Sequence, residues 1–249
     1  MDADKANETI CKGRMKPILY YVPVIHVISD LGSLGPIIER RRREICPGDH
    51  WDRHKAVVEQ FWNGIAAYFR AMNARNLKIY QDGMMTDGEL GLKIIREGAA
   101  SGSRNHQVVL DLLERGARLQ KTEDIDLLKE EYHRTLMLAQ RQSRWESIAA
   151  SLGRKAAGDD ILDKRDRFMA ETLTETLRDG EKGVLFVGAF HDVLKHLAGA
   201  RMDIRKVKDP VKVREYFHVL LTCVDDRTFE ALVDYMVKPP GQCSECGGQ

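Results

Sequence analysis

The stretch Gly183-Val-Leu-Phe-Val-Gly-Ala-Phe-His-Asp-Val-Leu194 decides how the chain is read. Four apolar residues, Val184 to Val187, run without a polar break and end on Gly188. A short apolar run bounded by glycines fits a strand buried on both faces, the kind found in parallel sheets. A helical pattern precedes it, and Asp192-Val-Leu-Lys-His-Leu197 follows, so the stretch reads as the middle of a β-α-β unit. His191 then sits just past the carboxyl end of the strand, the edge where open α/β sheets bind ligands. Gly188 leaves room there for backbone or a ligand to approach.

Other strands are read outward from this one. Lys16 to His26 is β-branched and aromatic and forms a first strand, with Pro23 expected to weaken or bulge the pairing near its end. Leu77–Tyr80 is a second strand, ending at Gln81-Asp-Gly83. A third is expected within Gly116–Asp124, before an acidic loop in which Glu123 or Asp124 caps the next helix. A weak last strand covers Met202–Val207. Between them lie helical patterns: Asp49 to about Met72, Asp87–Glu97, Asn105–Arg115, Ile125 to about Leu152, Asp159–Arg178, Val211–Thr222 and Arg227–Val237. About five strands alternating with helices predict an α/β fold: a three-layer domain with a central, mostly parallel sheet. One domain is expected over residues 1–237, with a helical excursion near 125–180 that could cap the site. Residues 238–249 read as a flexible tail carrying Cys243 and Cys246.

Composition narrows the function classes. Lys and Arg number 39 against 38 Asp and Glu, so nothing in the net charge of +1 calls for nucleic acid or an acidic membrane. The longest apolar run is far short of a spanning helix, and the polar start Met1–Glu8 does not read as a signal peptide. Five cysteines is an odd count and most are scattered, which does not read as a disulfide framework, and the expectation is a cytoplasmic protein. There is no Walker loop, no G-x-G-x-x-G and no G-x-S-x-G, so no nucleotide cofactor is expected. The partner expected is a small-molecule or peptide substrate, with a homodimer as a further possibility.

The chemistry-bearing candidates gather at strand ends. His26 and His191 each close an apolar strand, three residues after Pro23 and Gly188 respectively. Neutral imidazole serves as a ligand for zinc, manganese or cobalt and as a general base; the structural alternative is a satisfied core histidine. Asp82 ends the second strand and Glu123 and Asp124 the third, and any one of these carboxylates beside His26 and His191 would complete a metal site with an open position for water; the structural alternative for each is a helix cap or turn residue. Arg165 or Arg167 could turn toward the crevice and grip a carboxylate or phosphate with its planar fork. His50 and His54 have helical i, i+4 spacing but lack the H-E-x-x-H pattern, and Arg40–Arg43 reads first as a solvated helix face.

Taken together, Gly188-Ala-Phe-His191, the preceding Arg165-Asp-Arg-Phe-Met-Ala170 helix and the early strand ending at His26 resemble the TraB/PrgY and GumN family. Its wider relatives include the Tiki proteases and the erythromycin esterase–ChaN type proteins. The resemblance runs over roughly residues 17–207. Pro23 stands where the family has glycine, and Asp82 matches the family's acidic residue by position. The resemblance implies a divalent metal (Mn, Co or Zn) and a metal-dependent hydrolase, peptidase- or esterase-like. On that reading His26 and His191 would hold the metal or flank a catalytic water, Asp82 or Glu123 would complete the shell or act as base, and Arg167 would steady an oxyanion or the substrate's acidic group. A non-catalytic ligand-binding or regulatory protein on the same fold is the competing expectation.

Overall fold

The computed structural model describes residues 15–25, 50–140, 160–222 and 226–241. Five strands form one sheet: β1 (Ile18–Val24), β2 (Lys78–Gln81), β3 (Arg118–Gln120), β4 (Lys182–Gly188) and β5 (Asp203–Lys206). Their order is β3-β2-β4-β1-β5, and every pairing is parallel. Parallel pairing needs a crossover between successive strands, and the helical patterns in the sequence supply them.

The helices are α1 (His50–Arg70), α2 (Gly88–Ala100), α3 (Arg104–Glu114), α4 (Ile125–Gln140), α5 (Asp160–Thr176), α6 (Val193–His196), α7 (Pro210–Thr222) and α8 (Asp226–Val237). The excursion expected over 125–180 is seen only as α4 and α5; residues 141–159 lie outside the described residues. No helix among the described residues is long and apolar enough to cross a membrane.

Strand alternation divides the core into two layers. Val22, Val24, Ile79, Val184 and Phe186 face α1, α3, α7 and α8, where Trp62, Phe61, Phe69 and Tyr216 fill the space. Leu19, Tyr21, Tyr80, Leu185 and Val187 face α5 and α6, packing on Met169, Leu173, Val193 and Leu197. The result is the three-layer α/β architecture, with β4 buried on both faces as its apolar run requires.

Two details position the site. β4 is inserted between β2 and β1, so the loop after β2 and the turn after β4 emerge side by side. And Pro23 causes no bulge: it stays in register opposite Val187. Odd-numbered residues of β1 turn their backbone toward β5, since the Tyr21 carbonyl accepts from Val207 N–H. Even-numbered residues turn toward β4, as the Val24 carbonyl accepts from Ala189 N–H. The β5 pairing ends at Tyr21↔Lys206, so the missing N–H of Pro23 faces a side where no ladder remains.

Gly183, the second residue of β4, sits in a confined place. A Cβ there would lie 3.1 Å from the Tyr80 ring and 3.2 Å from Leu177. Gly183→Ala is therefore expected to cost about 1–3 kcal/mol by overpacking, seen as a lower urea midpoint at unchanged slope.

Candidate active site

Asp82 follows β2 directly and His191 follows β4 by three residues, and the adjacency of the two strands brings them together. Asp82 N–H donates to the Phe186 carbonyl at 2.8 Å, extending the β2–β4 ladder by one residue. Its side chain shares the α5-facing side with Tyr80, two residues earlier. Asp82 Oδ2 accepts from Gly188 N–H at 3.0 Å and lies 3.3 Å from His191 Nε2. The expected close approach at Gly188 is thus made by the Asp82 carboxylate.

The other ring nitrogen is held from α5. His191 Nδ1 lies 2.6 Å from Asp166 Oδ1, while Asp166 Oδ2 accepts from Asp192 N–H at 2.7 Å. The imidazole therefore stands between two carboxylates, one from the end of β2 and one from α5. It is 6% exposed, and the Asp82 side chain 13%.

Arg165, one residue before Asp166, gathers the remaining charge. Its Nη2 donates to Asp82 Oδ1 at 2.7 Å and to Glu123 Oε1, its Nε to Glu123 Oε2 at 3.2 Å, and its Nη1 to Glu131 of α4. Glu123 is fully buried behind this guanidinium, with Gly83 N–H 3.4 Å from the same Oε1. The two acidic residues of the β3 loop thus divide their tasks. Glu123 turns inward to Arg165, whereas Asp124 Oδ1 accepts from Asp126 and Leu127 N–H and caps α4.

Helical phase explains which arginine arrives. Ile161, Arg165, Asp166, Met169, Ala170 and Leu173 form the buried stripe of α5. Arg167 falls off that stripe: its side chain is 63% exposed and pairs with Asp163 on the same helix. The arginine at the site is therefore Arg165, in place of the Arg167 expected to steady an oxyanion. Asp166, absent from the sequence expectation, is the residue that orients His191. Its spacing from Met169, Ala170 and Leu173 was the available signal.

His26 lies outside the described residues, as do Arg40–Arg43 and all five cysteines. His54 is buried and bonded to Tyr216 Oη at 2.9 Å, a core contact between α1 and α7; the side chain of His50 is outside the described set.

The electrostatics follow from this packing. Burial alone would lower the His191 pKa, but the Asp82 charge and the bonds to Asp166 and Asp82 outweigh it and raise it to about 10. Burial raises the Glu123 carboxyl well above its ordinary range, against the opposing pull of Arg165. Burial disfavours the Arg165 charge, yet Asp82 and Glu123 more than offset this and keep it protonated. At neutral pH His191 is thus an imidazolium with Nε2 directed at Asp82: a proton donor beside a carboxylate able to accept.

A pH dependence of stability results. With a folded pKa near 10 against 6.5 for a free imidazole, the stabilisation from His191 is complete below about pH 6.5 and lost as pH rises toward 10. Glu123 shifts in the same sense and starts at lower pH. The urea midpoint is expected to fall between neutral pH and about pH 10, and His191→Gln to flatten that fall.

A divalent metal fits part of this arrangement. Two ligand atoms about 2 Å from one ion stand roughly 3.3 Å apart in tetrahedral geometry, the separation of His191 Nε2 and Asp82 Oδ2. Asp166 on the far nitrogen is the carboxylate that such a histidine ligand commonly carries. Among the described residues no three His, Cys, Asp or Glu side chains converge as a metal site, so any further protein donor must come from outside them.

No family model, curated protein or solved structure matches the chain.

Proposed function

We propose that the chain is a hydrolase acting on a peptide- or ester-like bond, a divergent relative of the TraB/PrgY and GumN group, with His191 and Asp82 as its working pair. The observation that carries this is the imidazole clamped between Asp166 and Asp82 at the joined ends of β4 and β2. Asp166 fixes the ring so that Nε2 points at the reacting atoms. Nε2–H protonates the leaving group, and Asp82 takes the proton from the attacking water. Gly188 N–H and Arg165 hold Asp82 on separate oxygens, and Glu123 holds Arg165 in turn. Were a divalent metal bound instead, His191 Nε2 would give up its proton and hold the metal together with Asp82, and Lewis-acid polarisation of the water would take the place of proton donation from Nε2.

The test is product release from chromogenic esters and fluorogenic peptides by the full chain, alone and with zinc, manganese or cobalt. Hydrolysis in at least one class supports the reading. Absence from every class and condition contradicts it.

A second reading, a ligand-binding or regulatory protein on the same fold, is favoured by the closure of the cluster. Both nitrogens of His191 and all three of the guanidinium nitrogens of Arg165 already face carboxylates. In the same assays that reading gives no turnover in any class.

A further inference from the structure

The turn carrying His191 is held at its backbone by a residue from a different quarter of the fold. Arg214, on α7, donates from Nε to the Ala189 carbonyl at 3.0 Å and from Nη2 to the His191 carbonyl at 3.3 Å. One planar guanidinium thus spans two carbonyls two residues apart, each met by a separate nitrogen of a rigid fork. The rest of the turn is engaged as well. Gly188 N–H goes to Asp82, Ala189 N–H to the Val24 carbonyl, His191 N–H to the Gly188 carbonyl and Asp192 N–H to Asp166. Phe190 meets Phe217 of α7 edge to face at 5.6 Å between ring centres. Helix α7 is itself fixed to the core, since Tyr216 bonds His54 of α1 and stacks on Phe229 of α8.

We infer that Arg214 is a positioning residue: by clamping the carbonyls of Ala189 and His191 from α7, it sets the direction of the His191 ring against Asp166 and Asp82. The inference rests on His191 being the working group of the site. The imidazole hangs from the peptide that Arg214 grips, and the clamped carbonyls are groups that Asp82 and Asp166, as acceptors, do not bond. Without Arg214 the two carbonyls lose charge-assisted partners, and the turn is free to rotate the ring away from one carboxylate.

The test reads the imidazole directly. The full chain is labelled with imidazole-15N histidine, and solvent exchange of the His191 Nδ1 proton is measured. Among eight histidines that proton is identified by its loss in Asp166→Asn. Exchange is expected to be at least about tenfold faster in Arg214→Ala, and intermediate in Arg214→Lys, which keeps the charge but not the fork. Equal exchange in wild type and Arg214→Ala overturns the inference, even if the melting temperature drops, because that pattern marks a merely structural role. If Arg214→Ala does not fold, Arg214→Lys decides in the same way. No substrate enters the measurement, so a failed hydrolase assay leaves this result standing, and an unchanged proton leaves the hydrolase reading standing.

Discussion

Arg165→Ala is expected to lower stability by about 3–5 kcal/mol, because it strands buried charge. The guanidinium is the shared partner of Asp82, Glu123 and Glu131, and Glu123 is fully buried. For a chain of this size the melting temperature should fall by roughly 6–20 °C. Arg165→Lys should lose less, yet a single ammonium cannot reach three carboxylates at once. The difference from wild type should narrow as pH is lowered, since stranded carboxylates escape by taking protons. A melting temperature within about 1 °C of wild type in Arg165→Ala would show that the cluster is replaceable.

His191→Gln is expected to reduce turnover by about 10²–10⁴ without unfolding the chain at neutral pH. Glutamine can offer an amide N–H to one neighbouring carboxylate, but it cannot exchange a proton with a leaving group. The substitution also removes one cation from a group of four carboxylates, so Asp82 should become easier to protonate. The pH–rate profile of any residual activity should then be displaced relative to wild type. Turnover within twofold of wild type would remove His191 from the chemistry.

The fold was legible where apolar patterning was strong. Val184–Val187 reads as a strand covered on both sides, and among the described residues the five strands and the helices between them lie close to their expected bounds. Of the two outcomes expected at Pro23, the bulge does not occur and the weaker pairing is confined to the β5 side, where the ladder ends at Tyr21; sequence does not reveal which neighbour each backbone group faces. The site was half legible. Asp82 and His191 could be placed because they end strands, and strand order made them neighbours. Arg165 and Asp166 were harder, since charges in the middle of a helix ordinarily read as solvated surface. Here they share the stripe of Ile161, Met169 and Leu173, and at its amino-terminal end that stripe meets a cluster of carboxylates instead of apolar core. Glu123 and Asp124 are adjacent in sequence and equivalent in chemistry, so only packing could assign one to Arg165 and the other to the start of α4. Arg214 carried no signal at all, because its targets are backbone carbonyls.

The central claim is that His191 and Asp82 work as one unit in hydrolysis. It is tested by measuring kcat/KM for wild type, His191→Gln, Asp82→Asn and the double variant on the best substrate found. A working unit loses most of its activity with either member, so the double variant should be no slower than the worse single variant. Turnover that survives both substitutions, or losses that simply multiply, would contradict it.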